Sequence, residues 1–197
     1  MFFRTLLIVL IGLPCVVLAD ANNGDFMGYQ LGNNYLRGES TRMRVTTTGN
    51  LFITAEKPVK PSDVEEVTLL TTPGTLTIGF IDASSWFETE EAARAMGRNY
   101  VQLLRAKYPD WEMGQEGLDT HLDVIEINLM NSPYNLRLRL IEEDRNGIDM
   151  WRFSMTLGWL RDTEQKQKWR DLAFQQQIAA QQESSRKLLQ EADVRGL

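Results

Sequence analysis

The sequence predicts an antiparallel α+β domain, in which a sheet built from hairpins has one central helix packed on it and is followed by a long C-terminal helix. Several stretches alternate apolar and polar residues and are joined by turn residues, which is the pattern of hairpin strands. Two other stretches repeat apolar residues at every third or fourth position, as helices do. Because the strands come in neighbouring pairs, the pattern favours an α+β fold of about seven or eight strands over a parallel α/β fold.

Residues 1–19 predict a secretory signal peptide, because an uncharged apolar run follows Arg4 and ends in small residues. The run is shorter than the roughly 20 residues that a spanning helix needs, and Pro14 interrupts it. Cleavage is expected after Ala19 or Ala21, and retention of the segment as an anchor is the alternative. The sequence therefore predicts a periplasmic or secreted protein without a stable membrane span after cleavage.

Cleavage would remove Cys15, the single cysteine of the chain, and would leave neither a disulfide nor a catalytic thiol. Cleavage after Ala19 would also remove Arg4 and no other charged residue, which changes the net charge from −6 to −7. Nucleic acid binding depends on clustered Lys and Arg that meet phosphates. We therefore expect no nucleic acid partner.

We expect the α+β domain to occupy residues 20–160 and to begin with strands joined by short turns. Turn-forming residues at positions 33–34, 49–50 and 73–74 separate the apolar stretches. Alternation within these stretches predicts strands with one apolar and one polar face. The expected strands are residues 26–32, 42–48, 51–55, 66–71 and 75–81.

The central helix is predicted to begin at Ser85 and to end at Tyr108. Ser85 and Glu88 have the Ser-x-x-Glu spacing of a capping box. Pro109 has no amide hydrogen with which to continue a helix beyond Tyr108. The apolar residues with helical spacing are Ala93, Met96, Tyr100, Leu103 and Leu104.

Beyond this helix, residues 111–120 predict a loop and residues 121–130 a strand. Asn146-Gly147 is the strongest turn signal in the chain and favours a two-residue type I′ turn. With these residues as the loop, the flanking strands pair in a single register. The apolar pairs in that register are Leu140 with Phe153, Leu138 with Met155, and Leu136 with Leu157. The opposite face carries Arg137, Arg139 and Arg152.

Residues 161–197 predict a C-terminal helix, which extends over residues 162–195. Its length would be about 50 Å, whereas a compact domain of this size is roughly 37 Å across. The apolar residues are concentrated in its first half. We therefore expect the first half to dock on the domain and the second half to protrude, with Ile178, Leu188 and Leu189 in contact with a partner.

The order of elements after residue 85, which is a helix, then strands, then a helix, resembles the second half of PsbP-like domains. Cystatin-like and other helix-on-sheet folds have a similar order. The resemblance is one of element order alone and implies no function.

No set of residues in the sequence predicts catalysis, a metal site or a cofactor. His121 is the single histidine, and one imidazole does not supply the three or four ligands of a zinc site. Ser84 and Ser85 lack the Gly-x-Ser-x-Gly motif that exposes a nucleophile. Residues 142–149 are acidic, but their spacing does not match a calcium loop. We therefore expect a non-enzymatic protein with no catalytic residue, no metal and no cofactor.

Two binding hypotheses follow from the sequence. In the first, the protein is an assembly component of the bacterial cell envelope, and its C-terminal helix contacts another envelope protein or a second copy of itself. In the alternative, the domain binds a small ligand or anion on the sheet face that carries Arg137, Arg139 and Arg152. Arg42 and Arg44 would join this face if their strand belongs to the same sheet. A cleft lined by tryptophans is a variant of the second hypothesis.

Overall fold

The computed structural model describes residues 24–36, 42–56, 58, 60–107, 109, 112–113, 117–119, 122–128, 133–160 and 163–194. The predicted signal peptide and its cleavage sites lie outside the described residues, and so does His121. No helix among the described residues is both long enough and apolar enough to cross a membrane.

The chain folds into an antiparallel α+β domain, and this confirms the predicted fold class. Strands β1 and β2 form a small hairpin of their own. Within the described residues the other nine strands form one sheet in the order β3-β4-β5-β6-β11-β10-β9-β7, with β8 also paired to β9. The strands are β1 (Asp25–Phe26), β2 (Tyr29–Gln30), β3 (Met43–Val45), β4 (Leu51–Thr54), β5 (Glu66–Thr71), β6 (Ile78–Phe87), β7 (Glu112–Met113), β8 (Gly117–Asp119), β9 (Leu122–Asn128), β10 (Tyr134–Asp144) and β11 (Asp149–Trp159), and the helices are α1 (Glu90–Lys107) and α2 (Glu164–Val194).

The β10–β11 hairpin has the register that its turn predicts. Leu136, Leu138 and Leu140 lie opposite Leu157, Met155 and Phe153, respectively, and all six are buried. Asn146 and Gly147 have positive φ angles of 60° and 84°, as a type I′ turn requires. Because a slip of one residue would turn all six apolar side chains to the other face, burial and turn geometry favour the same pairing.

Helix α1 packs on the apolar face of this hairpin and of β6. Tyr100 and Leu104 of α1 are almost fully buried, and the ring of Tyr100 stacks on that of Phe153 with 5.8 Å between centroids. The hydroxyl of Tyr100 donates a hydrogen bond to Asp63 at 2.9 Å. The core therefore lies between α1 and one face of the sheet, and the other face is left for polar residues.

The predicted capping box is wrong. Ser85 lies inside β6, opposite Phe153, and its hydroxyl donates to the carbonyl oxygen of Asp63 at 2.6 Å. The helix begins at Glu90, five residues after Ser85, and Thr89 Oγ1 accepts the hydrogen bond from the N–H of Ala92 at 3.3 Å. Pairing with the long strand β11 extends β6, and this tertiary interaction overrides the local signal.

The prediction of seven or eight strands is also too low, because the described residues contain eleven. The predicted loop at residues 111–120 contains two of them, β7 and β8, and both pair with β9. Strands of two or three residues are stabilised by hydrogen bonds to a longer neighbouring strand. Their own sequence is too short to show a strand pattern.

The N-terminal part of α2 docks on the ends of β5 and β6. The indole Nε1 of Trp169 donates to the carbonyl oxygen of Thr77 at 2.9 Å, and its ring lies against the backbone of Gly79. Gln176 Oε1 accepts a hydrogen bond from the N–H of Gly74 at 2.8 Å. From residue 178 to residue 190, every side chain of α2 is exposed. The helix therefore has a docked part and an exposed part.

Candidate functional site

The sheet face opposite α1 carries polar side chains that align in rows across the strands. One row begins at Arg42, whose carbonyl oxygen accepts a hydrogen bond from the N–H of Thr54 at 3.1 Å, and it passes through Arg137 of β10 to Glu126 of β9. Directly opposed residues of antiparallel strands share a face, so the register places the whole row on this side of the sheet. The residues between the two arginines are Thr54, Thr68, Asp82 and Thr156.

This face forms an open cleft of about 790 Å³, here termed the arginine cleft. Among the described side chains, six basic and three acidic ones line it, which is a positive balance although the chain has a net charge of −6. The basic residues are Arg42, Arg44, Arg137, Arg139, Arg152 and Lys166, and the acidic residues are Glu66, Asp82 and Glu143.

The three arginines singled out from the sequence all line this cleft. Arg137 and Arg139 come from β10, and Arg152 comes from β11. Strand β3 belongs to the same sheet, and therefore Arg42 and Arg44 reach the cleft from its other side. The structure thus brings together arginines from two hairpins that are about 90 residues apart in the chain.

Asp82 lies in the middle of the cleft floor, and its side chain is only 9% exposed. Its carboxylate accepts hydrogen bonds from Thr156 Oγ1 at 2.5 Å and from the guanidinium of Arg152. Burial raises the pKa of Asp82 above its ordinary value, while the charge of Arg152 and the bond from Thr156 act to lower it. Arg152 is thus engaged within the protein, where it compensates the charge of Asp82.

The wall of the cleft near Arg152 contains Trp86. The guanidinium carbon atoms of Arg145 and Arg152 lie 4.9 Å and 5.7 Å from its ring centroid, within the range of a cation–π interaction. Arg145 also forms an ion pair with Glu65 at 3.0 Å. The contact with Trp86 is thus a second interaction of the Arg152 side chain, in addition to its hydrogen bond to Asp82.

Arg139 lines the cleft from β10. Its side chain is partly buried there, and its Nε atom, like that of Arg152, is buried and has no hydrogen-bond partner among the residues that the structure describes. A buried N–H without a partner carries a desolvation cost of about 1–3 kcal/mol. Because the Nε atom itself is closed off from solvent, an anion in the cleft can meet Arg139 only through the rest of its guanidinium.

On the other side of the cleft, Arg42 and Arg44 are both exposed. The guanidinium of Arg44 lies 5.3 Å from the ring centroid of Phe52, which in turn packs edge-on against Phe80 at 5.9 Å. Both rings line the cleft. This side therefore combines positive charge with an aromatic surface.

Helix α2 leaves the cleft open. Of its described side chains, that of Lys166 lines the cleft, and the docking contacts farther along the helix are made with the turns next to β4, β5 and β6. One of these contacts joins Gln177 Nε2 to Asn50 Oδ1 at 3.0 Å. The arginines are therefore accessible to a ligand from solvent.

The predicted partner-contact residues lie on the exposed part of α2. Ile178 is 39% exposed, Leu188 is 67% exposed and Leu189 is 72% exposed. Phe174, one turn before Ile178, is 62% exposed and was not singled out from the sequence. These apolar side chains form a separate surface from the arginine cleft.

Two of the sequence candidates for chemistry have structural roles, and the third, His121, lies outside the described residues. Ser84 and Ser85 are buried in β6. Residues 142–149 form a hairpin tip, where Asp144 Oδ1 accepts a hydrogen bond from the N–H of Gly147 at 3.0 Å. Within the described part of the chain, no three His, Cys, Asp or Glu side chains are grouped closely enough to hold a metal ion.

Trp86 is one of the tryptophans that suggested a cleft in the sequence, whereas Asp82 was not singled out. Both lie beyond the predicted strand 75–81, in the part of β6 that the sequence did not predict as strand. Comparison of the chain with protein-family models, with curated proteins and with solved structures finds no match.

Proposed function

We propose that this protein is an exported, non-enzymatic binding protein that holds an anionic ligand in the arginine cleft. The observation that carries the proposal is the presence of Arg42 and Arg44 from one hairpin and Arg137 and Arg139 from another on one open sheet face. A positive cleft in a chain of net charge −6 attracts anions locally while the rest of the surface repels them. The predicted signal peptide supports the exported location.

Arginine suits this role because its planar guanidinium presents several N–H donors in the geometry of a carboxylate or phosphate group. A hydrogen bond to a charged group contributes about 1.5–3 kcal/mol. We assign a large share to Arg139, which lines the cleft and is partly buried there. Arg152 is expected to contribute less, because Asp82 already engages its guanidinium.

Replacing Arg139 with Gln is expected to weaken anion binding by about tenfold to a hundredfold, because it removes charged hydrogen-bond donors from the cleft. Binding is measured by isothermal titration calorimetry with citrate, pyrophosphate and a hyaluronan hexasaccharide as probes. Added salt is expected to weaken binding of each of these anions to the unaltered protein, because the cleft is open to solvent.

The matched control is Arg98→Gln. Arg98 is an exposed residue of α1, on the opposite side of the sheet, so this variant has the same net charge as Arg139→Gln. The proposal fails if none of the three anions binds, or if both variants weaken binding equally.

A second candidate function is assembly in the cell envelope through α2, with another envelope protein or a second copy as the partner. The observation that favours it is the exposure of Leu188 and Leu189, at 67% and 72%, on the outer half of a helix. Two neighbouring leucines exposed to water gain free energy when a partner buries them, about 1.5–3 kcal/mol for each side chain.

Exchanging both leucines for Gln is expected to abolish association while leaving the helix formed, because Gln and Leu have similar helix propensities. Self-association is followed by sedimentation velocity, and hetero-association by co-purification of the tagged protein from its native envelope. The control is Ser184→Gln/Ser185→Gln, which introduces the same residues one turn earlier. If both double variants behave like the unaltered protein, the outer half of α2 is not a contact surface.

A further inference from the structure

We infer that the ligand of the arginine cleft is an acidic oligosaccharide, which carries negative groups at separated points and neutral, hydroxyl-bearing sugars between them. This inference rests on the proposed anion-binding function and adds the chemical class of the ligand. Three features carry it: the separation of the arginines, the acceptors on the cleft floor and the aromatic rings beside them.

The arginines form two banks that are far apart. The first bank is Arg42 and Arg44, beside and on β3, and the second bank is Arg137 and Arg139 on β10. Four strands lie between β3 and β10, so the banks are separated by five strand spacings, or about 24 Å along the sheet. A single carboxylate or phosphate accepts hydrogen bonds from donors within about 3 Å of its oxygen atoms. One such group cannot contact both banks, whereas an extended ligand with several can.

The floor between the banks is rich in acceptors. Glu66 accepts hydrogen bonds from the hydroxyls of Thr54 and Thr68 at 3.2 Å each, and Asp82 accepts one from Thr156 at 2.5 Å. These three threonine hydroxyls donate their hydrogen atoms to carboxylates. Their oxygen lone pairs therefore remain available to accept hydrogen bonds from a ligand. The segment of a ligand above this floor is therefore expected to donate hydrogen bonds and to be uncharged where it passes Glu66, whereas at Asp82 the guanidinium of Arg152 already offsets the carboxylate.

Sugar hydroxyls meet both conditions, because they are neutral and donate hydrogen bonds. A polyphosphate meets neither condition, since it carries negative charge along its whole length and would lie against Glu66. An acidic peptide binds sheets by adding a strand at an edge, whereas the cleft floor is the face of a sheet and presents side chains instead of a backbone ladder.

The aromatic rings of the cleft fit the same ligand class. Phe52 and Phe80 line the cleft next to the first bank. The apolar face of a sugar ring, which consists of C–H groups, packs on such rings and is removed from water. The cleft thus offers positive charges, hydrogen-bond acceptors and apolar rings. These match the acidic groups, the hydroxyls and the C–H faces of an acidic oligosaccharide.

The experiment titrates the full-length protein with probes that differ in length and in charge distribution. The principal probe is a hyaluronan hexasaccharide, in which acidic and neutral sugars alternate. The comparison probes are glucuronate, a polyphosphate of at least the same charge, and neutral maltohexaose. We expect the hexasaccharide to bind about a hundredfold more tightly than glucuronate, because only the longer probe reaches both banks, and to bind more tightly than polyphosphate.

Two double variants test the banks separately, Arg42→Gln/Arg44→Gln and Arg137→Gln/Arg139→Gln. Each is expected to weaken binding of the hexasaccharide by at least about tenfold, whereas the control Arg98→Gln/Arg170→Gln leaves it unchanged. Circular dichroism of each variant checks that the fold is retained, and a variant that unfolds is replaced by the corresponding single substitutions.

The outcomes separate the ligand class from the underlying function. If glucuronate or polyphosphate binds as tightly as the hexasaccharide, or if one bank has no effect, the inferred class is wrong while anion binding stands. If maltohexaose binds equally well, charge is not recognised and the inferred class is also wrong. If none of the anionic probes binds, the proposed function fails together with the inference.

Discussion

Replacing Arg152 with Met is expected to lower the free energy of unfolding by about 3 kcal/mol at pH 7, because it leaves a buried carboxylate without its counter-charge. Asp82 is 9% exposed and accepts a hydrogen bond from the guanidinium of Arg152. The estimate lies at the low end of the range for buried pairs, because the side chain of Arg152 is 24% exposed and water compensates part of the interaction. Chemical denaturation at constant temperature measures the difference.

The loss should depend on pH in a direction set by Asp82. Burial already raises the pKa of Asp82 above its ordinary value of 3.8, and removing the charge of Arg152 raises this pKa further. Between the ordinary pKa and the raised pKa, the native state binds more protons than the unfolded state, so stability falls as pH rises. The deficit of the variant should therefore be smallest near pH 4 and should grow toward neutral pH.

Two further variants isolate this effect. Arg152→Met/Asp82→Asn removes the buried charge as well and should recover most of the lost stability at pH 7. Arg145→Met is the matched control, because Arg145 also contacts Trp86 but its partner Glu65 is exposed, so the expected loss is below about 1 kcal/mol. A loss for Arg152→Met that matches this control, or that stays constant with pH, would contradict the assigned role of the Asp82 pair.

Replacing Gly79 with Ala is expected to destabilise the protein by about 3 kcal/mol and to release the N-terminal part of α2, because steric overlap in a packed site is costly. A Cβ atom at position 79 would overlap the indole ring of Trp169. The ring would have to move away from β6, and its Nε1 hydrogen bond to the carbonyl oxygen of Thr77 would then be lost. Amide hydrogen exchange along α2 measures the release directly.

Gly158→Ala is the matched control on the neighbouring strand. A Cβ atom at position 158 would lie 3.8 Å from the Cβ atom of Phe80, which is an ordinary contact, so the expected loss is below about 1 kcal/mol. A second test combines Gly79→Ala with Trp169→Ala. Once the indole is absent, the added methyl group should cost little, so the two substitutions should not be additive. Additive losses would show that Gly79 does not act through Trp169.

Local sequence signals were sufficient to predict strand pairing where a single turn and an alternating apolar pattern specify it. The turn at Asn146-Gly147 and the alternating leucines of β10 predict the register of the β10–β11 hairpin, and the structure has that register. The same alternation predicts that Arg137 and Arg139 face away from the core, and both line the cleft. These predictions succeed because the two strands of a hairpin are neighbours in sequence as well as in space.

Local signals failed in two places, one where a distant strand competed with a helix cap and one where strands of two or three residues are too short to show an alternating pattern. Ser85 and Glu88 have the spacing of a helix cap, yet Ser85 belongs to β6 because pairing with β11 extends that strand through Phe87. Residues 111–120 predict a loop, yet parts of this segment pair with β9. In both places the backbone N–H and C=O groups form hydrogen bonds with another strand. The local sequence contains no information that identifies this strand.

Patterns within the sequence predict the α+β class, the β10–β11 hairpin, the long C-terminal helix and the outward orientation of Arg137, Arg139 and Arg152. The folded chain was needed to show that Arg42 and Arg44 face the same cleft, that Asp82 and Trp86 engage Arg152, and that Trp169 docks against Gly79 while α2 leaves the cleft open. The difference lies in the range of each interaction. Periodicity and turns act over a few residues, whereas the order of strands in the sheet depends on pairing between segments that are distant in the chain.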